Sequence, residues 1–138
     1  MKNKSITPFV LAIIKKENKF LLTKRHEVGS EDPKQFQGMW QLPGGGVNYR
    51  ETVENALIRE VKEELGLDIR VIRMVPFINN SIRENWHGLG MIIHCELKDL
   101  SQVIKLNFES SEFGWFTYEG VMKLNSLPGV KEAVKASL

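Results

Sequence analysis

Three glutamates, Glu60, Glu63 and Glu64, lie three and four residues apart in a segment rich in helix-forming residues. At about 100° per residue they fall on one arc of a helix. Like-charge pairs at these spacings, in the half of the helix where its dipole disfavours anions, each destabilise it by a few tenths of a kcal/mol. A bound cation would offset this repulsion, and carboxylate oxygens favour Mg²⁺, Mn²⁺ or Ca²⁺ over zinc. The alternative, a solvated acidic face, would more naturally include lysines at these spacings.

The helix also has an apolar arc, which is predicted to face the core and carries Leu57, Ile58, Val61 and Leu65. The helix is predicted over residues 51–65, because Gly66 is a typical C-terminal cap. Before it, three consecutive glycines at 44–46 are predicted to form a tight turn, in which backbone groups can approach a metal ion or a phosphate closely. The run is not a Walker loop, since no Gly-Lys-Ser/Thr sequence follows it.

Hydrophobic periodicity predicts the elements that surround this helix. The predicted strands are residues 9–14 and 20–23, which form a hairpin, and residues 40–42, 69–78, 89–97 and 113–117. The tail, residues 118–138, is predicted to form one or two helices interrupted near Pro128 and Gly129. The polar residues 26–38 are predicted to form a long loop, and the polar segment 79–87 separates two predicted strands. Interleaved strands and helices indicate an α/β (α+β) fold with a mixed sheet, and the length suits a single domain, 1–138.

Composition and charge limit the classes of function. The chain has 42% hydrophobic residues and a net charge of +2, which does not indicate a surface for nucleic acid or membrane. Cys95 is the only cysteine, so no internal disulfide is expected, and its apolar neighbours indicate a small buried side chain. Residues 1–7 lack the apolar core of a signal peptide, and no apolar run approaches about 20 residues. A cytoplasmic location is therefore expected.

The glutamates belong to a longer pattern. Its fixed positions are those of the Nudix box: Gly45, Glu51, Arg59, Glu60, Val61, Glu63, Glu64, Gly66 and Leu67. From average residue usage, the probability of a chance match in a chain of this length is on the order of 10⁻⁸. The chain therefore resembles the Nudix hydrolases, and the resemblance continues through residues 40–45 and through Trp115 and Phe116. It implies the Nudix fold, in which a mixed sheet is sandwiched between helices.

The resemblance also implies roles for individual residues. The metal ligands it implies are three box glutamates and the carbonyl of the glycine just before the box: Glu60, Glu63, Glu64 and Gly44. Mg²⁺ is the expected ion, with Mn²⁺ as a substitute. Arg59 resembles the family's arginine that orients a box carboxylate, such as Glu51. The implied reaction is attack of water on a phosphorus of a diphosphate, with the ions lowering the pKa of water and offsetting charge on the leaving group.

The general base is open between two kinds of carboxylate. The resemblance allows either a box glutamate or an acidic residue on a late loop, and Glu60 is the first choice. Glu112 is the second choice, whereas Glu109 in the same loop is interpreted as surface charge. The predicted catalytic residues are therefore Glu60, Glu63, Arg59 and Glu112.

Substrate contacts are predicted outside the fixed positions of the box. The side chains that suit stacking on a base, hydrogen bonding to its edge or contact with phosphate are Arg25, Phe36, Gln41, Arg50, Asn79 and Trp86. For Phe36 and Trp86, a place over the core is an equally good interpretation. Asn48 and Arg50 stand where relatives usually have an acidic residue and a glycine, a departure that leaves the box intact.

The leading hypothesis is Mg²⁺-dependent hydrolysis of a nucleoside triphosphate to a monophosphate and pyrophosphate. The alternative among enzymes is hydrolysis of ADP-ribose or a nucleotide sugar, and the alternative outside them is a Nudix module that binds a nucleotide without cleaving it. All four box glutamates are present, which argues against the module. An RNA decapping enzyme would need a basic surface. The expected partner is thus a small nucleotide, and a homodimer is an expectation taken from the family.

Overall fold

The computed structural model describes residues 4–26 and 34–138. Its strands are β1 (Ile6–Lys16), β2 (Lys19–Arg25), β3 (Trp40–Gln41), β4 (Gly44–Gly46), β5 (Ile69–Arg83), β6 (Trp86–Leu97) and β7 (Ser110–Phe116). Its helices are α1 (Val53–Leu65), α2 (Tyr118–Met122) and α3 (Val130–Ala136), with a 3-10 helix at Lys34–Phe36. The predicted opening hairpin and the interruption of the tail near Pro128 and Gly129 are confirmed. Most of the predicted loop at 26–38 lies outside the described residues.

The seven strands form one mixed sheet, as predicted. Its order is β3-β2-β1-β6-β5, with β4 paired to β1 and β7 paired to β2. Strands β1 and β6 run parallel, from Ile6 opposite His87 to Ile14 opposite Cys95, and the other pairs are antiparallel. Cys95 is fully buried in this central pair, and burial raises the pKa of its thiol to about 12. The interpretation of Cys95 as a buried apolar side chain is confirmed.

Helices cover both faces of the sheet. Alternate side chains of β1 point to opposite faces, as in any strand, so Ala12 and Ile13 belong to different core clusters. The first cluster packs α1 against the sheet through Leu57, and the second packs α2 and α3 through Val121 and Val134. The expected sandwich of a sheet between helices is therefore present.

Helix α1 begins and ends at residues that cap it. The side chain of Thr52 accepts a hydrogen bond from the backbone N–H of Asn55 at 3.1 Å, which stabilises the first turn. Gly66 has a φ of 69°, and its N–H donates to the carbonyl of Lys62, as predicted for a C-terminal cap. The helix thus begins at Val53, two residues after the predicted start.

The rotation of α1 against the sheet differs from the prediction. Ile58, expected to face the core, is 40% exposed, whereas Glu64 is only 4% exposed. Ala56 is fully buried on the same side as Glu64. The helix is turned so that part of its acidic arc enters the interior, and Ile58 lies beyond the opposite edge of the buried face.

Two segments that were not predicted to be strands take part in the sheet, namely the glycines expected to form a turn and the polar segment 79–87. The glycines at 44–46 pair with β1, and Gly44 has a φ of 149° at a point where a side chain would collide with the carbonyl of Val10. Residues 79–87 extend β5 and β6 into a long hairpin that turns between Arg83 and Trp86. These residues are polar because alternate side chains face a cavity or solvent and not the core, so the apolar pattern of a buried strand is missing.

No helix in the described ranges is both long and apolar enough to cross a membrane.

Candidate active site

Among the described residues of helix α1, Glu64 lines a cavity of about 280 Å³, here called the acidic cavity. The residues that line this cavity are Arg25, Gln41, Gly44, Glu64, Phe108 and Glu109. The three predicted ligands differ in exposure: the side chain of Glu60 is 15% exposed and that of Glu63 is 55% exposed, whereas Glu64 is buried. Gly44, the predicted backbone ligand, lines the same cavity as Glu64. The structure therefore places these predicted metal ligands around one end of α1.

Glu64 is the most perturbed of the three carboxylates. Burial, followed by the negative charges of Glu109 and Glu60, raises the pKa of Glu64 to about 9. A hydrogen bond from the backbone of Gly44 acts in the opposite direction. Among the described residues, the buried Oε1 atom of Glu64 finds no hydrogen-bond partner. A buried carboxylate in this state needs either a proton or a cation.

Arg59 connects the two ends of the box. Its Nε and Nη2 atoms donate to the two carboxylate oxygens of Glu51, at 2.7 and 2.9 Å, and this pair holds the pKa of Glu51 down at about 2. Nη1 donates to Glu60 at 3.0 Å and to Glu63 at 3.4 Å, and Nη2 also donates to the carbonyl of Gly46 at 3.0 Å. The predicted contact between Arg59 and Glu51 is confirmed, and Arg59 also holds two of the predicted ligands.

The donor set fits a hard divalent cation. A side chain at Gly45 would lie 2.6 to 2.7 Å from the carboxylate atoms of Glu60, so a glycine is needed for that carboxylate to lie against the backbone. Within residues 4–26 and 34–138, no three His, Cys, Asp or Glu side chains already surround a common point. Arg59 explains this spread, because it draws Glu60 and Glu63 toward its guanidinium. Carboxylate and carbonyl oxygens are the ligands that Mg²⁺ and Mn²⁺ prefer.

The structure separates the two late-loop glutamates. Glu109 lines the acidic cavity. Burial and the charges of Glu60 and Glu63 raise the pKa of Glu109, and the opposing effect of Arg25 is smaller. Glu112 lies on β7 opposite Lys24, at 3.9 Å from its Nζ atom, and within the described chain it lines neither cavity. Glu109, which the sequence analysis ranked below Glu112, is thus the carboxylate that faces the box.

A second cavity, of about 300 Å³, adjoins the first and is here called the larger cavity. Five of the six predicted substrate-binding residues line it: Arg25, Phe36, Gln41, Asn79 and Trp86. The sixth, Arg50, is exposed with a φ of 67°, and it is absent from the described lining of both cavities. The larger cavity shares Arg25, Gln41 and Gly44 with the acidic cavity, so one elongated molecule can reach from one to the other.

One wall of the larger cavity is built from aromatic rings that pack against two glycines of the sheet. The indole of Trp86 lies over Gly88, and the ring of Phe9 lies over Gly90, where any side chain would collide with the ring. The centroids of the two rings are 6.0 Å apart. The guanidinium of Arg83 is 4.2 Å from the Trp86 ring centroid and 5.2 Å from that of Phe36.

The contribution of Phe9, Gly88 and Gly90 to this wall was not predicted from the sequence. The alternation of Trp86, Gly88 and Gly90 in the sequence could have predicted it, because alternate residues of a strand share one face. A large ring and two glycines without side chains therefore lie side by side on β6. The surfaces therefore fit a flat, partly apolar group in the larger cavity and an anionic group, bridged by a cation, at the glutamates.

Comparison with known proteins gives the same family as the residue pattern. The chain matches the family model described as NUDIX domain over residues 6–136. It is 28% identical over 123 residues to the nucleoside triphosphatase NudI of Escherichia coli. This alignment covers 82% of this chain and 83% of that protein. It is 33% identical over 113 residues to the ADP-ribose pyrophosphatase of Methanocaldococcus jannaschii. This alignment covers 81% of this chain and 62% of that protein.

A solved structure shows the same architecture. The MutT protein from Methanosarcina mazei Go1 superposes with a TM-score of 0.78 and 26% identity, over 98% of this chain and 94% of that chain. The family model spans the seven strands and three α-helices of the described residues, and the box glutamate Glu64 lies where α1 meets the acidic cavity. The chain belongs to the Nudix hydrolase family.

Proposed function

We propose that the protein hydrolyses a phosphoanhydride bond of a nucleoside triphosphate, with Mg²⁺ in the acidic cavity, to give a nucleoside monophosphate and pyrophosphate. The observation that carries the proposal is the common wall of the two cavities, formed by Arg25, Gln41 and Gly44. A nucleoside in the larger cavity would extend its phosphates past this wall to the glutamates. The similarity to a nucleoside triphosphatase over 83% of that protein supports this substrate class.

The residues of the larger cavity suit a nucleoside. Trp86 and Phe9 offer flat rings on which a base can stack, and Asn79 offers an amide that can hydrogen-bond to the edge of a base. Arg25 lies on the shared wall, where its positive charge attracts the phosphates, and its Nη1 donates to the Gln41 side chain at 3.2 Å. The base and the phosphates thus meet different parts of one continuous surface.

The glutamates divide the remaining work. Glu60, Glu63, Glu64 and the carbonyl of Gly44 would hold the cation, which would lower the pKa of water and offset charge on the leaving group. We assign to Glu109 the removal of the proton from the attacking water, because it lines the same cavity as Glu64 and Gly44. Glu60, the first choice from the sequence, is held by Arg59 and is needed as a ligand.

The experiment is a substrate panel with product identification. Nucleoside triphosphates, ADP-ribose, nucleotide sugars and dinucleoside polyphosphates are incubated with Mg²⁺ or with EDTA, and products are separated by chromatography. We expect release of a monophosphate and pyrophosphate that depends on the metal. Cleavage of ADP-ribose or nucleotide sugars alone would contradict the triphosphate assignment, and nucleotide binding without turnover would contradict hydrolysis altogether.

A second candidate function is hydrolysis of ADP-ribose or a nucleotide sugar, and one observation favours it. Phe108 lines the acidic cavity with 71% of its surface exposed, so a group linked beyond the diphosphate would find an apolar ring at the mouth. The similarity to an ADP-ribose pyrophosphatase supports this alternative, although the chain covers 62% of that protein. The same panel separates the two functions, because only triphosphates yield pyrophosphate.

Trp86→Ala is expected to raise KM for the preferred nucleotide by roughly tenfold with little change in kcat, because stacking of a base on an aromatic ring contributes about 1 to 3 kcal/mol. The matched control is Phe113→Ala, which removes another partly exposed ring, 41% exposed on β7. Steady-state kinetics of both variants check the prediction. A similar rise in KM in both, or a loss confined to kcat in Trp86→Ala, would remove Trp86 from the binding surface.

A further inference from the structure

We propose that Asn107 is a positioning residue that sets the place of the Glu109 carboxylate opposite the helix glutamates. The inference rests on the proposed function, in which Glu109 accepts the proton of the attacking water. It adds a residue that touches neither the substrate nor the cation and acts through the backbone of Glu109.

Asn107 is hydrogen-bonded both to helix α1 and to the loop residue Glu109. Its backbone N–H donates to the carbonyl of Glu64 at 3.1 Å, which ties the loop to the last turn of α1. Its side-chain Oδ1 accepts the backbone N–H of Glu109 at 3.0 Å. One residue therefore links the backbone of a predicted metal ligand to the backbone of the proposed base.

Other hydrogen bonds hold the same stretch on both sides. The N–H of Lys105 donates to the carbonyl of Leu65 at 2.9 Å, and the N–H of His26 donates to the carbonyl of Glu109 at 2.9 Å. These bonds fix the path of the loop, whereas the side chain of Asn107 determines how the chain turns between Asn107 and Glu109. Removal of that side chain should leave the loop attached and loosen the Glu109 carboxylate.

The chain offers a matched control in the segment that precedes Asn107. Asp99 makes the same kind of turn, since its Oδ1 accepts the backbone N–H of Ser101 at 2.9 Å. Asp99 is exposed, and within the described residues it lines neither cavity. Loss of this bond should cost comparable local stability without an effect on the glutamates.

The test combines four single variants with one double variant, measured with the metal-loaded enzyme and its best substrate from the panel. Glu109→Gln is expected to lower kcat by about 10²-fold, as for loss of a general base. Asn107→Ala is expected to lower kcat about tenfold with KM within about twofold, because small displacements of a catalytic group are costly. Asn107→Asp keeps the acceptor and should retain kcat within about threefold, and Asp99→Ala should leave kcat unchanged.

The double variant Asn107→Ala/Glu109→Gln distinguishes positioning from a general loss of structure. If Asn107 acts through Glu109, the alanine should change kcat by less than about twofold in the Glu109→Gln background. A full tenfold loss there, failure of Asn107→Asp to restore kcat, or an equal loss in Asp99→Ala would overturn the inference.

The proposed function and this inference fail in different ways. If Glu109→Gln keeps full activity while Glu60→Gln is inactive, hydrolysis stands and the positioning role of Asn107 is wrong. If the wild type turns over no member of the panel, the proposed function fails, and the inference that rests on it is overturned as well. Thermal unfolding followed by circular dichroism confirms that each variant is folded.

Discussion

Glu60→Gln is expected to lower kcat for the preferred nucleotide by about 10³-fold or more while the protein stays folded. The substitution keeps the shape of the side chain and removes the charge that would hold the cation and the bridged phosphates. Glu60 also accepts a hydrogen bond from Arg59 at 3.0 Å, which an amide oxygen can still accept. The loss should therefore appear in catalysis and metal affinity more than in stability.

Glu54→Gln is the control for this variant, because Glu54 lies exposed in the first turn of the same helix. Single-turnover rates and titration of Mn²⁺ by electron paramagnetic resonance provide two independent readouts. Retention of more than about a tenth of the wild-type rate in Glu60→Gln, or an equal loss in Glu54→Gln, would show that Glu60 is not a ligand.

In EDTA, the contribution of Glu64 to the free energy of unfolding is expected to fall as the pH rises from about 4.5 to about 9. Burial, then the charges of Glu109 and Glu60, raises the pKa of Glu64 from 4.5 to about 9, so between these values the folded state binds a proton that the unfolded state has lost. A group of this kind contributes stability that is present below pH 4.5 and is lost as the pH rises toward 9. The slope from one such group is at most about 1.4 kcal/mol per pH unit.

Glu64→Gln should remove most of this slope, because the amide cannot ionise, and should make the protein in EDTA more stable than the wild type at pH 8. Glu63→Gln is the control, since that side chain is 55% exposed. Urea unfolding at several pH values checks the prediction. Mg²⁺ should stabilise the wild type increasingly as the pH rises, because the cation favours the ionised carboxylate, and this gain should be lost in Glu64→Gln. The same pH dependence in the wild type and in Glu64→Gln, both measured in EDTA, would contradict the burial of an uncompensated carboxylate.

Much of the site was predictable because it is local in the sequence. The spacing of the box glutamates and the Gly66 cap defined α1, and the pairing of Arg59 with Glu51 followed from complementary charge. The residue types that bind bases pointed to the larger cavity, since five of six predicted residues line it. Arg50 was the exception, since it is exposed and is absent from the described lining of both cavities.

The errors have a common physical cause, which is that they concern contacts between distant elements. Periodicity relates positions around a helix to one another and does not say how the helix is rotated against the sheet, so Ile58 was expected inside and Glu64 outside. Likewise, Glu109 lines the acidic cavity because of the path of the late loop, which the N–H of Asn107 ties to the carbonyl of Glu64. That bond joins residues far apart in the chain, and nothing in their spacing indicates it.

The two glycines that pack against Trp86 and Phe9 lie on a different element from the helix glutamates. Gly88 and Gly90 lie on β6, whereas the glutamates lie on α1. A single methyl group at Gly88 would collide with the indole of Trp86, which lines the larger cavity. Under the proposed function, a substitution at this one strand position is expected to change which nucleotide fits the larger cavity without altering the sequence of α1.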